Sequence, residues 1–171
     1  GTAGANLKIN VYDNGVLIGS TTSNPSGDWS LTPATPLSPG GHSVTATAVS
    51  AAGVESAPTG AFPFTIDTTA PGNTTLDAAV DDVGPVLGNV PANGTTNDAT
   101  PTFQGKGEPG ATITVIDNGQ PIGTTTVRPD GSWELTPTTP LADGPHTVTA
   151  TATDPAGNTS GPTPTDRHRP M

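Results

Sequence analysis

The sequence predicts an all-β protein made of tandem antiparallel β-sandwiches, because its composition, its apolar pattern and its turn signals agree. The 171 residues include 22 glycines, 20 prolines and many threonines, a composition that disfavours helices and suits short strands and turns. Apolar side chains alternate with polar or β-branched ones at residues 7–12, 111–116 and 147–152, which is the period of half-buried strands. Turn-forming residues interrupt these runs at short intervals, as in antiparallel sandwiches.

The chain contains two copies of one module. A shift of 104 positions places residues 11–15 on 115–119, 27–33 on 131–137 and 42–48 on 146–152. Over the ungapped match of residues 4–58 to 108–162, more than half of the positions are identical. Such internal similarity is typical of repeat architectures. We therefore predict two domains of the same fold.

The two copies are unequal in length. Residues 69–107 have no counterpart ahead of residue 1, so we predict a partial repeat over 1–68 that lacks its first two strands. The second repeat, over 69–171, is expected to have about seven strands, at 74–80, 100–106, 111–117, 120–127, 132–137, 145–153 and 159–165. Its C-terminal tail, residues 166–171, is polar and basic where the first copy has Phe62 and Phe64. The last strand is therefore expected to lose its apolar anchors.

The charge balance excludes several classes of partner. With 15 acidic and 5 basic residues the net charge is −10, whereas nucleic acids and anionic membranes are bound by clustered Lys and Arg. The chain has no cysteine, which excludes disulfides and thiolate metal sites. No apolar run approaches the roughly 20 residues that span a bilayer, so no membrane insertion is expected in this segment. Divalent cations are the natural counter-charge.

Five aspartates are candidate calcium ligands. Calcium takes six to eight oxygen ligands, which acidic loops can supply, and neighbouring carboxylates repel each other unless a cation neutralises them. We predict one site at the junction of the two modules, and a second at the far end of the second module. The predicted ligands are Asp67 and Asp154 at the junction, and Asp81, Asp82 and Asp98 at the far end.

The alternative interpretation is that these aspartates are solvated loop charges, because no EF-hand spacing is present. The first copy has Ser50 where the second has Asp154, so its equivalent loop is expected to lack a ligand. For Asp13, Asp117 and Asp130, which lie in Asp-Asn-Gly and Pro-Asp-Gly segments, we predict turn chemistry.

Other residues that could form a site are better explained by structure. Trp29 and Trp133 occupy one repeat position, and we predict core packing in preference to a platform for sugar stacking. His42 and His146 also recur at one position, which indicates a structural role. The sequence shows no Ser/His/Asp arrangement, no phosphate-binding loop and no pair of glutamates for glycoside hydrolysis. We therefore predict that the protein is not an enzyme.

Five segments of the sequence are distinctive in combination: residues 67–71 (DTTAP), 107–111 (GEPGA), 115–119 (VIDNG), 131–133 (GSW) and 150–158 (ATATDPAGN). Together they resemble the bacterial immunoglobulin-like repeats of giant biofilm-associated and type I-secreted adhesins. The resemblance implies an extracellular β-sandwich at the bacterial cell surface, repeated many times, with calcium at the domain junctions. It assigns the family's aspartates to the five positions given above, and Ser50 departs from the pattern.

These observations lead to one main functional hypothesis, a structural spacer that supports cell adhesion and biofilm formation, is rigidified by calcium and has neighbouring repeats as its partners. A second hypothesis is a binding module whose threonine-rich faces contact polysaccharide, another cell or a surface, motivated by Thr147, Thr149 and Thr151. A third is an accessory module of a secreted polysaccharide-active enzyme. In a fourth, strands donated by neighbouring chains complete the first repeat in a fibre.

Overall fold

The computed structural model describes residues 1–91 and 93–164, and it divides the chain into two compact units, Gly1–Asp67 and Thr68 onward. The described residues form strands and turns but no helix, so none of them belongs to a helix that could cross a membrane. The predicted all-β class is confirmed.

The first unit contains a single four-stranded antiparallel sheet with the strand order β2-β1-β3-β4. In β1, every second side chain is buried, as expected for a strand with one face towards a core. The buried residues Ile9 and Val11 contact Ala46 of β3 in a small apolar cluster. The strands are β1 (Lys8–Asp13), β2 (Val16–Thr22), β3 (Gly40–Val49) and β4 (Phe62–Ile66).

The second unit contains two antiparallel sheets, with the strand orders β10-β7-β5-β6 and β11-β8-β9. Both sheets contribute to one apolar core. The β10-β7-β5-β6 sheet supplies Phe103 and Trp133, and the β11-β8-β9 sheet supplies Ile113, Val115 and Ala150. This is the predicted β-sandwich. The strands are β5 (Ala78–Asp81), β6 (Gly88–Val90), β7 (Thr102–Lys106), β8 (Thr112–Asp117), β9 (Gln120–Thr126), β10 (Ser132–Leu135) and β11 (Val148–Thr153).

The same hairpin occurs in both units because the same turn residues form it. Asn14 and Gly15 have φ angles of 46° and 81°, and Asn118 and Gly119 have φ angles of 47° and 82°. Two consecutive positive φ values define the turn that suits the right-handed twist of a hairpin, and Asn-Gly is its preferred sequence. A bulge follows at the same repeat position in β2 and β9, where Ile18 and Ile122 have no partner in β1 or β8.

The strand predicted at 159–165 is wrong over the described residues, which form only an isolated bridge between Thr153 and Thr159. Pro162 has no N–H to donate, and the Ser160 and Thr163 hydroxyls accept the N–H groups of Ala152 and Ala150 in place of backbone carbonyls. The first unit repeats this arrangement with Ser56 and Thr59. The predicted loss of apolar anchors at 166–171 lies outside the described residues.

Other strand boundaries also differ from the prediction. Strand β5 begins at Ala78, although the N–H groups of Thr75 and Asp77 already bond to β7. Strand β11 begins at Val148, three residues later than predicted. Strand β6 was not predicted, because three residues within a Gly- and Pro-rich loop carry no period-2 signal.

Candidate functional site

The structure brings together two of the aspartates predicted to bind calcium at the far end of the second unit. Asp81 ends β5 and Asp98 lies four residues before β7, and because these strands pair antiparallel, their loops meet at one edge of the sheet. Both side chains are buried, with 5% of each residue exposed. Asp82 follows Asp81 and is exposed, but its backbone N–H lies 3.5 Å from Asp98 Oδ2.

The carboxylates of Asp81 and Asp98 already accept hydrogen bonds from the protein. Asp81 Oδ1 accepts the Val83 N–H at 2.8 Å, and its Oδ2 accepts the Thr96 hydroxyl at 2.5 Å. Asp98 Oδ1 accepts the Thr100 N–H at 2.8 Å. Within residues 1–91 and 93–164, no group of three or more His, Cys, Asp or Glu side chains is arranged to hold a metal ion. In this geometry the two carboxylates hold the loops together.

Asp67 and Asp154 belong to different units, and their joint role at a junction stays a prediction of the sequence. Asp67 follows β4 directly and is exposed. Asp154 follows β11 and is 8% exposed, and it closes a local turn: its Oδ1 accepts the Asn158 N–H and its Oδ2 accepts the Asn158 side-chain amide, each at 2.9 Å. These hydrogen bonds, the one from the side chain foremost, lower the pKa of Asp154.

The first unit forms the equivalent turn with a hydroxyl. Ser50 Oγ accepts the Val54 N–H at 3.0 Å, which corresponds to the bond between Asp154 and the Asn158 N–H. In both units the backbone N–H of the first turn residue also donates to the carbonyl of the residue four positions later. The turn therefore needs an oxygen acceptor at this position but not a charge.

Asp13 and Asp117, predicted to act in turns, instead pair with histidines. Asp13 ends β1 and Asp117 ends β8. His42 Nδ1 lies 2.6 Å from Asp13 Oδ2, and His146 Nδ1 lies 2.7 Å from Asp117 Oδ2. Asp130 shows the predicted turn chemistry, since its Oδ1 accepts the Ser132 N–H at 2.9 Å.

The hydrogen bond within each pair raises the pKa of the histidine. The hydrogen bond to Asp13 raises the pKa of His42, and the same bond lowers the pKa of Asp13. The hydrogen bond to Asp117 likewise raises the pKa of His146. Sequence reasoning missed these pairs, although a signal was present: the aspartate and the histidine recur together, 29 residues apart, in both copies.

A polar cluster around Glu55 occurs in the first unit and was also missed. Glu55 Oε1 accepts hydrogen bonds from the Thr47 hydroxyl, from Tyr12 Oη at 2.6 Å and from Asn10 Nδ2 at 2.9 Å. These bonds, led by the one from Thr47, lower the pKa of Glu55 to about 2. The second unit has Thr159 in place of this glutamate, so the cluster distinguishes the outer faces of the two repeats.

The tryptophans pack into the cores, as predicted. Trp133 is 1% exposed and its Nε1 donates to the Lys106 carbonyl at 3.0 Å, so it presents no face to a sugar. Trp29 is half-buried and packs against the core of the first unit.

Threonines form a regular array on the outer face of the β11-β8-β9 sheet. Thr112 is paired with Thr126 and Thr153, and Thr114 with Thr124 and Thr151, which makes two rows of three across neighbouring strands. The strands in such a sheet are spaced about 4.8 Å apart. The corresponding rows of the first unit contain Lys8 and Asn10, so the array is confined to the second unit.

Three solved structures are similar to this chain. The chain is similar to the fibronectin(III)-like modules of CbhA from Clostridium thermocellum, with 18% identity, a TM-score of 0.50, and coverage of 95% of this chain and 77% of that one. It is also similar to the BSP domain of a biofilm-associated protein, with 26% identity, a TM-score of 0.35, and coverage of 98% of this chain and 26% of that one.

A third similar structure is a tetra-tandem repeat in the extending region of a large adhesion protein, with 26% identity, a TM-score of 0.38, and coverage of 95% of this chain and 43% of that one. A search of curated proteins gives no match. The family model described as "Bacterial Ig-like domain" matches twice, at residues 1–68 and at 75–167, and so covers nearly the whole chain. The chain therefore belongs to the bacterial Ig-like domain family and contains two of its repeats.

Proposed function

We propose that this chain is a structural spacer from the stalk of a large bacterial surface adhesin, located outside the cell, with neighbouring repeats as its partners. One observation carries the proposal: the chain consists of two consecutive copies of a bacterial Ig-like module, and each copy forms its own compact unit with its own apolar cluster. Repeats that fold as separate units can be added in number without altering one another, which suits a spacer.

Calcium at the ends of the modules is a second part of the proposal. Asp81 and Asp98 are two buried carboxylates whose loops meet, and Asp82 stands beside them. A carboxylate oxygen has two lone pairs, so one hydrogen bond does not exhaust its capacity to accept. Because calcium takes six to eight oxygens, backbone carbonyls and water would complete the shell. Asp67 and Asp154 are proposed as further calcium ligands.

Calorimetric titration with calcium tests this second part. We expect heat of binding, and a melting temperature that rises with calcium concentration because the ion binds the folded state. Asp82→Asn removes an exposed charge without removing a buried hydrogen bond, and should weaken binding. Asp143→Asn, on another exposed loop, is the matched control and should leave binding unchanged. No heat and no rise in melting temperature at millimolar calcium would reject calcium and leave the spacer proposal intact.

X-ray scattering tests the stiffening by calcium, and adsorption tests the spacer itself. In scattering, a spacer stiffened by calcium should show a broader distribution of interatomic distances once a chelator is added. In adsorption assays, the purified chain should bind neither glycan arrays nor insoluble polysaccharide, since a spacer holds the binding domain away from the cell but does not bind by itself. Adsorption that survives high salt would contradict the spacer proposal.

The threonine rows favour one competing function, a module that contacts a polysaccharide or another ordered surface. Six hydroxyls and six methyl groups on a regular sheet could match a repeating ligand, although threonine is also simply a good strand former. The variant Thr124→Lys/Thr126→Lys would interrupt both rows at exposed positions of β9. Ser20→Lys/Thr22→Lys, at the same exposed positions of the first unit, is its matched control. Loss of adsorption in the first variant alone would support the competing function.

A further inference from the structure

The same three-part contact, which we call the histidine clasp, occurs once in each repeat. In the first, His42 joins Asp13 at the end of β1 to the carbonyl of Ser38, with Nε2 2.7 Å from that oxygen. In the second, His146 joins Asp117 at the end of β8 to the carbonyl of Ala142, with Nε2 2.8 Å from that oxygen. Each histidine therefore ties a strand end to the loop four residues before itself.

Both partners of each ring can only accept hydrogen bonds. An ionised carboxylate and a backbone carbonyl have no proton to give, whereas a neutral imidazole carries one N–H and one bare nitrogen. A neutral ring would therefore place a nitrogen lone pair against an oxygen lone pair at hydrogen-bond distance. Only the imidazolium, which donates from both nitrogens, satisfies both contacts at once. The geometry requires the charged ring.

The paired aspartate is the main charged group near each histidine ring. His42 is 7% exposed and stacks on Phe64 of β4, with ring centroids 5.2 Å apart. The loop before it, residues 34–38, has no ionisable side chain, and Leu17 and Ile18 of β2 line the same cleft. His146 pairs with Asp117 of β8, and the exposed Asp143 belongs to the loop before it.

We propose that the clasp is a proton-operated latch: when the histidine is charged it holds the loop before β3 or β11 to the end of β1 or β8, and when the proton leaves the loop is released. The raised pKa of both histidines agrees with this geometry. A group whose pKa is raised by folding stabilises the fold fully below its unfolded value, near 6.5. That stabilisation is lost as the pH rises through the folded pKa.

The consequence is a repeat that is held most firmly in mildly acidic surroundings and that loosens at one end as the pH rises. The clasp would add pH sensitivity to the proposed spacer. It does not depend on the spacer proposal, because each clasp lies within one repeat. It is also independent of calcium, since Asp13 and Asp117 are not among the proposed ligands. Failure of the spacer proposal would leave the latch untouched.

Nitrogen NMR of the histidine rings tests the latch directly. The measurement uses the full chain carrying His168→Gln, so that only His42 and His146 contribute signals. At about pH 6 we expect both nitrogens of both rings to show N–H signals, with titration midpoints above 6.5. A midpoint at or below 6.5, or a bare ring nitrogen below the midpoint, would overturn the proposal without any further variant.

Two variants then assign the cause. Asp13→Asn should lower the midpoint of His42 and leave that of His146 unchanged, and Asp117→Asn should do the reverse, so each serves as the control of the other. Asparagine retains an oxygen acceptor, so a role in packing alone would leave the midpoints where they were. Amide exchange at residues 38–42 and 142–146, corrected for its intrinsic pH dependence, should accelerate above each midpoint; no acceleration would contradict release of the loops.

Discussion

The two repeats share their hairpins, bulges and histidine clasps, but they differ in their cores. The second unit buries nine apolar residues in one cluster that both of its sheets build, whereas the first buries three, Ile9, Val11 and Ala46, against a single sheet. The local features are therefore determined by sequence that both copies contain. The size of the core depends on the second sheet, which only the second unit has among the described residues.

The tryptophan segment shows this dependence most clearly. Trp133 lies in β10, paired with Gly105 of β7. Trp29, at the same repeat position, lies outside any strand, and next to it only an isolated bridge joins Thr2 to Asp28. That bridge corresponds to the pair of Lys106 with Ser132. Equivalent segments thus form a strand only where a partner strand is present.

The largest expected effect is at the tryptophans. Trp133→Ala should lower the free energy of unfolding of the second unit by about 3–5 kcal/mol, because it empties the centre of a closed core. Trp29→Ala should lower the free energy of unfolding of the first unit by about half as much, because Trp29 is already half-exposed. Urea unfolding followed separately by β1 and β8 amide signals measures both. Equal losses would contradict the contrast between the cores.

A smaller effect is expected where β7 passes the tryptophan. A Cβ added at Gly105 would lie 2.1 Å from the Thr75 carbonyl oxygen and 2.8 Å from Trp133 Cζ2. Gly105→Ala should therefore destabilise the second unit by about 1–3 kcal/mol through overpacking. Gly41→Ala in β3 is the control, since a Cβ there meets nothing within 4 Å. The same unfolding measurement applies, and a neutral Gly105→Ala would show that the sandwich can relax.

Two threonine hydroxyls, one beside β11 and one beside β3, accept strand N–H groups in place of backbone carbonyls. Removing each hydroxyl compares the two repeats at a single hydrogen bond. Thr163→Val leaves the N–H of the fully buried Ala150 without its acceptor. This should lower the free energy of unfolding of the second unit by about 1–3 kcal/mol. In the first unit the corresponding threonine, Thr59, is exposed, so water can replace its hydroxyl. Thr59→Val should therefore lower the free energy of unfolding of the first unit by less than this. A larger loss in Thr59→Val than in Thr163→Val would refute this account.

The smallest effect is a pH dependence confined to the first unit. Folding lowers the pKa of Glu55 from 4.5 to about 2, so its hydrogen bonds stabilise the fold above 4.5 and this contribution is lost as the pH falls towards the folded value. Glu55→Gln should make the acid unfolding of the first unit less steep and leave the second unit unchanged. An unaltered acid profile of the first unit would show that the cluster contributes nothing measurable.

Sequence reasoning predicted the features that depend on neighbouring residues. The alternation in residues 111–116 predicted β8, and Asn118-Gly119 predicted the turn after it, because both act over a few residues. It also predicted that the loops of Asp81 and Asp98 meet. It missed the Asp13–His42 pair, since no local pattern shows which side chains lie opposite each other 29 residues apart.

By itself, the sequence determined the all-β class, the duplication and the hairpins. Strand period, turn conformation and repetition can each be recognised from short stretches of residues. Tertiary structure alone decided which copies of a residue are buried, as Trp133 and Trp29 demonstrate. It also decided which carboxylates meet a histidine and which close a loop. Burial and pairing depend on what the opposite sheet or the adjacent loop brings into contact, and that information is distributed over the whole chain.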